Sequence, residues 1–275
     1  MHESNVIKAM KYFLITAIAL FCMLPFVWVV ITSMKPDGDF FDPNIIFPTK
    51  VFLGNFKEVW VNAKFFTYFL NSVVLSVATT FICLFLSIMT SYGFCRFKIF
   101  GEKSFLLAIL FTQMFPSVLL ALPYYVTLKN LHLIDKISGL ILVYTSFILP
   151  FCIWTMKGFF DNMPWELEEA AFIDGCNRFQ TVVRVILPVA APGIAATGLF
   201  AFIRSWDEFM YANIFINTSF KRTIQIGIHS LIGEYTTDWG MLMAGAVISC
   251  IPVIIFFTYI QKNLIQGLSS GSVKG

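Results

Sequence analysis

The chain has 275 residues, of which 58% are hydrophobic and only 13% are charged. That charged share is about half of what a typical soluble domain carries, which argues against a protein whose surface faces water on all sides. The net charge of +3 is small and is not gathered into a basic cluster, so nucleic acid is not an expected partner.

Six segments are apolar and long enough to cross a bilayer as helices, a crossing that takes about 20 residues. In chain order these predicted spans are 12–34, 67–92, 105–127, 137–157, 188–209 and 240–260. Each contains a long window without Asp, Glu, Lys or Arg, as expected when one charge at the centre of a spanning helix costs about 2.5–3.5 kcal/mol. We therefore predict an all-α, polytopic membrane protein with six transmembrane helices, in contact with membrane lipid and forming one domain over 1–275.

The orientation of these spans is predicted from Lys and Arg, which are enriched in cytoplasmic loops. When all connections are counted, the two possible orientations place similar numbers of Lys and Arg residues on the cytoplasmic side. The short connection 96–103 is the best indicator because short loops weigh most, and it holds Arg96, Lys98 and Lys103. With an even number of spans, this favours an orientation in which both termini are cytoplasmic.

The connection 161–188, between the fourth and fifth spans, predicts a helix that begins near Pro164, a residue suited to a first helical turn. Three acidic residues at its start lie near the positive end of the helix dipole: Glu166, Glu168 and Glu169. Helical spacing places four further residues on one face: Leu167, Ala170, Ala171 and Asp174.

The same connection then predicts a turn and a second short helix. Gly175 permits a backbone reversal that a Cβ atom would resist, and Asn177 is a suitable cap for a helix continuing through Gln180. The result is a helix–turn–helix at the membrane surface. From periodicity alone it is either a capped amphipathic connector or a docking element for a cytoplasmic partner.

The spacing in 161–188 resembles the EAA loop of ABC importer permeases, whose pattern is E-A-A-x3-G-x9-I-x-L-P. Here Glu169-Ala170-Ala171 precede Gly175 by the required three residues, and Leu187-Pro188 close the pattern. The single departure is Val185, where the family usually has Ile. The resemblance implies a cytoplasmic coupling helix in which Glu169, Ala170, Ala171, Gly175, Leu187 and Pro188 serve contact with an ATPase subunit.

Other runs resemble the sugar permeases similar to the maltose-type inner subunit. They are Ser91-Tyr92-Gly93-Phe94 with Arg96-Phe97, Gly139–Tyr144, Trp206-Asp207-Glu208-Phe209 and the tail Gly267–Gly275. The resemblance implies one transmembrane subunit of an ATP-driven importer, forming half of the translocation path for a carbohydrate. It implies as partners a second permease subunit, a dimer of ABC ATPase subunits and an extracytoplasmic solute-binding protein. The expected location is the bacterial cytoplasmic (inner) membrane.

Ionisable residues near the end of the fifth span are candidates for the translocation path, because such residues in membrane segments are commonly functional. The candidates are Arg204, Trp206, Asp207 and Glu208. The alternative is a local ion pair of Arg204 with Asp207 or Glu208, beside an interfacial Trp206. Asn71 and Gln113 are lesser path candidates, for which hydrogen bonding between helices is an equal explanation.

The last connection, before the sixth span, contains a further set of candidates. By resemblance to related permeases, this loop would contact the solute-binding protein through Gly233, Glu234, Tyr235 and Thr236.

No enzyme motif survives inspection, so no catalytic residue is predicted. Gly267–Gly271 fits G-x-S-x-G, but that motif needs a preceding strand and a later His, and the last His is His229. No phosphate-binding loop is found, and the scattered His and Cys residues predict no metal site. The chain is expected to bind no cofactor, and ATP and Mg would be used by the partner ATPase. The alternative function is a stand-alone secondary transporter, which would more often show intramembrane carboxylates and inverted repeats.

Overall fold

The computed structural model describes residues 5–271 apart from 41, 43, 98 and 234–236. These residues form helices and, within the described part of the chain, no β-strand. The α-helices are α1 (Asn5–Ser33), α2 (Gly54–Lys57), α3 (Phe65–Arg96), α4 (Glu102–Phe111), α5 (Ser117–Asn130), α6 (Ile137–Asp161), α7 (Glu166–Ile173), α8 (Arg178–Thr181), α9 (Leu187–Val189), α10 (Ala191–Trp206), α11 (Met210–Phe215), α12 (Ile224–His229) and α13 (Trp239–Gly271). Short 3-10 turns cover Asp37–Phe40, Thr112–Met114 and Ser219–Lys221, and π-helical turns cover Glu58–Asn62 and Val182–Ile186. The all-α prediction is confirmed.

Four of the described helices are individually long and apolar enough to span a membrane: Val6–Ser33, Phe65–Arg96, Ile137–Asp161 and Trp239–Gln261. Two further pairs of helices pass the same test only together. Glu102–Met114 meets Ser117–Asn130 at 100°, and Arg178–Val189 meets Ala191–Trp206 at 76°. If each pair is one span, the total reaches six. The predicted span 105–127 is therefore bent near its middle, whereas the predicted span 188–209 begins just before the bend at Ala190 and coincides mainly with α10.

A proline lies at each of the two bends. Phe115, which precedes Pro116, has an extended backbone with φ −72° and ψ 130°, because the ring of a following proline disfavours the helical region. Helix α10 carries a proline within its first two positions, where the missing N–H cannot bond to the preceding turn. Apolar composition predicts the length of a span but not which proline bends it, since Pro25, Pro150 and Pro252 lie inside single helices.

Residue contacts group the chain into two compact units, 1–66 with 227–251 and 67–226 with 252–275. In the first unit, the side-chain amide of Asn55 donates hydrogen bonds of 2.9 Å to the carbonyls of Ser33 and Lys35. Gly240 at the start of α13 lies against the same amide, since a Cβ atom there would come 2.5 Å from Asn55 Nδ2. The most apolar window of α1 has no buried residue.

The second unit is built around α6 and α10, with α3 packed on them. Its buried core includes Leu75 and Cys83 of α3, Tyr144 and Cys152 of α6, and Ala201 of α10. Small residues on α10 allow this packing: a Cβ atom on Gly193 would lie 2.4 Å from the Phe159 ring. Close approach through small residues is the usual way in which membrane helices pack, because lipid-facing apolar surface provides no hydrophobic driving force between them.

A polar contact joins the connection between α5 and α6 to the segment after α11. Asp135 Oδ1 accepts hydrogen bonds from the backbone N–H groups of Asn217 at 3.0 Å and Thr218 at 2.9 Å. Lys221 Nζ lies 2.9 Å from Asp135 Oδ2. This carboxylate therefore holds two segments that are far apart in the sequence.

Candidate functional site

The segment 161–188 forms the predicted helix–turn–helix. Helix α7 ends in a turn at Gly175, whose φ of +83° is left-handed. The N–H of Gly175 bonds to the carbonyl of Phe172 at 3.0 Å, and that of Cys176 bonds to Ala171 at 2.9 Å. This pair of bonds is a Schellman motif, which favours glycine at the left-handed position.

A reciprocal cap starts the second short helix, as the sequence predicts. The Gln180 N–H donates to Asn177 Oδ1, and the Asn177 N–H donates to Gln180 Oε1, both at 2.9 Å. Pro164 does not lie in the first turn of α7, because Trp165 is the N-cap residue and the helix begins at Glu166.

The exposed and buried side chains of α7 do not follow the single face that helical spacing predicts. Glu169 and Ala170 are exposed, and Ile173 is exposed over 86% of its surface. Ala171 is buried at 5% exposure, together with Glu168. Of the two alanines that helical spacing places on one face, Ala171 therefore packs against its own chain while Ala170 is exposed.

Buried Glu168 forms the strongest polar contact of the segment. Its Oε1 atom forms an ion pair with Nε of Arg96, at the end of α3, and the two side chains are only 1% and 8% exposed. Its Oε2 atom accepts a hydrogen bond of 2.9 Å from the Tyr92 hydroxyl. The Arg96 guanidinium also lies 5.1 Å from the centre of the Trp165 ring. We call Tyr92, Arg96 and Glu168 the α3–α7 cluster.

This cluster is not predicted from the sequence, in which Glu168 stands out only as a helix-dipole residue and Arg96 only as an indicator of orientation. The only sequence signal was the spacing of Glu168 three residues before Ala171, which places both on one helical face. A one-dimensional pattern does not show which distant residue that face meets.

A second set of candidates lines a cavity of about 230 Å³ in the second unit. Its walls come from the bend between α4 and α5, from α6, and from the end of α10. The lining residues are Thr112, Gln113, Phe115, Ser117, Leu120, Phe147, Arg204, Glu208 and Tyr211. The structure thus brings Gln113, Arg204 and Glu208 together, as three of the six predicted path residues, and adds the aromatic side chains of Phe147 and Tyr211.

The Glu208 carboxylate is hydrogen-bonded to other groups of the same chain. Its carboxylate accepts a hydrogen bond from the Tyr144 hydroxyl and bonds of 2.8 and 3.1 Å from the N–H groups of Tyr211 and Ala212. It therefore caps α11. The ion pair considered between Arg204 and Glu208 does not form, and in the described part of the chain Arg204 forms no ion pair within 4.0 Å. Arg204 and Asp207 are both exposed.

Two other path candidates, Trp206 and Asn71, make contacts that hold the protein's own helices and segments together. Trp206 is 2% exposed, with its ring against Phe69 and Phe202 at centroid distances of 5.9 and 5.8 Å. It belongs to the core rather than to an interfacial belt. Asn71 donates to the carbonyls of Phe220 and Arg222 at 2.9 and 3.0 Å. Its side-chain amide therefore ties α3 to a distant segment.

The loop candidates before α13 are only partly described. Gly233 is exposed, whereas Glu234, Tyr235 and Thr236 lie outside the described residues, as do the last four residues of the predicted tail. Within the described residues, no group of three or more His, Cys, Asp or Glu side chains is arranged to hold a metal ion.

A family model described as "Binding-protein-dependent transport system inner membrane component" matches residues 84–270, a range that includes the segment 161–188 and all of the residues that line the cavity. The chain belongs to this family. It is therefore a multi-pass permease component of ABC importers, and the alternative of a stand-alone secondary transporter is not favoured.

Relatives of the permease match it over nearly its whole length. It is 36% identical over 251 residues to the probable ABC transporter permease protein YurM of Bacillus subtilis, which covers 91% of this chain and 83% of that protein. It is 33% identical over 264 residues to the diacetylchitobiose uptake system permease protein DasC of Streptomyces coelicolor, covering 95% and 96% of the two chains. It is also 33% identical over 262 residues to the trehalose transport system permease protein SugB of Mycobacterium tuberculosis, covering 94% and 95%.

A solved structure supports the fold of the permease. The matching chain comes from a crystal structure of a bacterial ABC transporter involved in the import of the acidic polysaccharide alginate. The TM-score is 0.79 at 21% sequence identity, over 95% of this chain and 99% of that one. The shared fold therefore extends over almost the whole length of both chains.

Proposed function

We propose that this permease forms half of the path by which an ABC importer moves a carbohydrate, and that the segment 161–188 couples it to a separate ATPase. The observation that carries the coupling role is the exposed side of α7. There Glu169, Ala170 and Ile173 are exposed, although the helix is anchored from its opposite side. Ile173 of α7 and Phe179 of α8 are 86% and 76% exposed, and apolar surface exposed beside charged residues is what a docking surface for a partner protein uses.

The proposed assembly contains the partners that the resemblance implies. A second permease subunit completes the path, an extracytoplasmic solute-binding protein delivers the substrate, and a dimer of ATPase subunits uses ATP and Mg. The proposed location is the bacterial cytoplasmic (inner) membrane with both termini in the cytoplasm, which places 161–188 on the side of the ATPase. The uptake systems named for diacetylchitobiose and trehalose among the relatives support a carbohydrate substrate.

The cavity beside Arg204 is the part of this chain that we assign to the path. Irregular backbone at membrane depth cannot face lipid, because its polar groups would be left without hydrogen bonds. The exposed bend at Phe115 and Pro116 must therefore face water or a partner protein. Beside it, the Arg204 guanidinium is exposed near aromatic rings and the Gln113 amide, a combination of apolar surface and a few polar groups that is typical of small-molecule sites.

In the proposed mechanism, ATP binding closes the ATPase dimer and displaces the segment 161–188. That displacement shifts the balance between inward-facing and outward-facing arrangements of the membrane helices. This chain contributes the docking surface and half of the path, while bond cleavage takes place in the ATPase.

Co-purification in mild detergent tests the assembly, and a charge reversal tests the docking surface. Glu169→Lys should reduce recovery of the ATPase subunits with the permease and lower carbohydrate uptake at least tenfold. The matched control is Glu166→Lys, which reverses another exposed charge in the first turn of the same helix. Wild-type uptake by Glu169→Lys would refute the docking role, and transport by the purified chain without partners would refute the importer assignment itself.

A further inference from the structure

The α3–α7 cluster connects two elements that the chain does not connect directly. Arg96 and Glu168 are 72 residues apart in sequence, and α6 lies between them along the chain. The segment 161–188 is covalently continuous with α6 on one side and with the helix pair ending in α10 on the other. The cluster therefore attaches a third membrane helix, α3, to the same segment.

Its polar groups satisfy one another almost completely. Glu168 uses one carboxylate oxygen for Arg96 and the other for Tyr92. Arg96 directs a second nitrogen toward the Met163 carbonyl at 3.4 Å and covers the Trp165 ring. A buried ion pair is tolerated only when its charges are matched and hydrogen-bonded, and removal of one partner leaves the other charge buried and uncompensated. The contact therefore resists separation of α3 from α7.

Two weaker contacts repeat this attachment on either side of the cluster. Cys95 Sγ donates to Asp161 Oδ1 at 3.0 Å, where α6 enters the segment. The Arg178 guanidinium lies 5.1 Å from the centre of the Phe97 ring, where α8 begins. The end of α3 thus contacts the beginning, the middle and the second helix of the segment.

The geometry separates attachment from docking. Glu168 and Glu169 are neighbours in a helix with 3.6 residues per turn, so their side chains point about 100° apart. Glu168 is held inside the permease while Glu169 is exposed. A force applied to the exposed side of α7 is therefore transmitted to α3 through the buried ion pair of Arg96 with Glu168.

We propose that Arg96 and Glu168 are positioning residues that make α3 move together with α6 and α10 when the segment 161–188 is displaced. This inference rests on the proposed coupling of that segment to an ATPase. It predicts a specific defect, in which the ATPase still binds and hydrolyses ATP but less of that hydrolysis produces transport.

The test uses the complete importer reconstituted in liposomes with its binding protein. Glu168→Gln and Arg96→Gln should retain the co-purifying ATPase and raise the number of ATP molecules hydrolysed per substrate imported at least fivefold. The exchange Arg96→Glu with Glu168→Arg should bring this ratio back toward the wild-type value, which a loss of local packing would not do. Tyr92→Phe keeps the ring and the ion pair and removes one hydrogen bond to Glu168, so a smaller rise of about twofold is expected.

Glu102→Gln is the matched control. It removes the partly exposed ion pair between Glu102 and Lys157, whose nitrogen and oxygen lie 3.0 Å apart at the start of α4, and it should leave the ratio unchanged. A wild-type ratio in Glu168→Gln overturns the inference while leaving the coupling segment intact. If single variants do not assemble, an unchanged ratio in Tyr92→Phe together with no recovery in the exchange variant also overturns it. Absence of an ATPase from the wild-type preparation would instead refute the proposed function.

Discussion

At the Gly175 turn, the energetic cost of backbone conformation can be predicted separately from the cost of a steric clash. An ideal Cβ atom on Gly175 meets no atom within 4 Å, so its φ of +83° is the only obstacle to a side chain. Forcing an L-residue into the left-handed region costs about 1–2 kcal/mol. We therefore expect Gly175→Ala to destabilise the native turn by this amount, which corresponds to a population change of roughly five- to thirtyfold because each 1.4 kcal/mol is a factor of ten.

The same substitution elsewhere in the permease supplies a control of opposite sign. Gly158 lies inside α6, and a Cβ atom there also meets nothing within 4 Å. Because glycine within a helix is less favourable than alanine by about 0.5–1 kcal/mol, Gly158→Ala should be neutral or stabilising. Gly175→Asn should lie between wild type and Gly175→Ala, since Asn tolerates the left-handed region better than other non-glycine residues.

Hydrogen exchange on the reconstituted importer measures this effect locally. In Gly175→Ala, the backbone amide of the substituted residue and that of Cys176 should exchange five- to thirtyfold faster, because their hydrogen bonds to Phe172 and Ala171 close the turn. This range follows from the conformational cost of roughly 1–2 kcal/mol. Carbohydrate uptake should fall in parallel, since the turn fixes the orientation of α7. Unchanged exchange in Gly175→Ala, or the same response in Gly158→Ala, would refute the argument that backbone conformation selects glycine at this turn.

Two further predictions concern contacts outside 161–188. Partial burial by itself would raise the pKa of the Asp135 carboxyl, but hydrogen bonds from Thr218, with further ones from Lys221 and Asn217, outweigh it and hold that pKa well below its usual range. Since the pKa of Asp in the unfolded chain is about 3.9, this contact should stabilise the protein fully above about pH 5 and lose its effect as pH falls through the lowered folded pKa. Hydrogen exchange at the Thr218 amide should follow the same pH dependence. Asp135→Asn should abolish that pH dependence. Glu208→Ala removes the cap of α11 and should lower the free energy of unfolding by about 1–2 kcal/mol. Thermal unfolding of the purified complex measures this loss. An unfolding temperature in the variant equal to that of the wild type would show that the cap does not contribute.

The two ionisable residues that line the cavity, Glu208 and Arg204, have different roles. Glu208 looks functional from its position in a membrane segment, yet its oxygens are occupied by Tyr144 and by backbone groups of α11. Arg204 lies one helical turn earlier and remains exposed beside the cavity. Variants of Arg204 therefore address transport, while variants of Glu208 address folding.

The amino-acid sequence by itself determined the membrane-spanning character, the all-α class and the helix–turn–helix over 161–188. These properties depend on local physics: the charge-free segments reflect the cost of charge in a bilayer, Gly175 supplies a left-handed turn, and Asn177 with Gln180 forms a capping box. The same spacing also carried the family resemblance, which the match over 84–270 confirmed.

Only the tertiary structure decided which faces and partners these elements use. It placed Ala171 inside rather than on the docking surface, turned Trp206 into a core residue, and gave Glu208 a capping role in place of an ion pair with Arg204. It also joined Arg96 to Glu168 across 72 residues of sequence. Periodicity reports the neighbours of a residue along its own helix, but burial and ion pairing depend on which other helix packs against it, and that is settled only when the whole unit assembles.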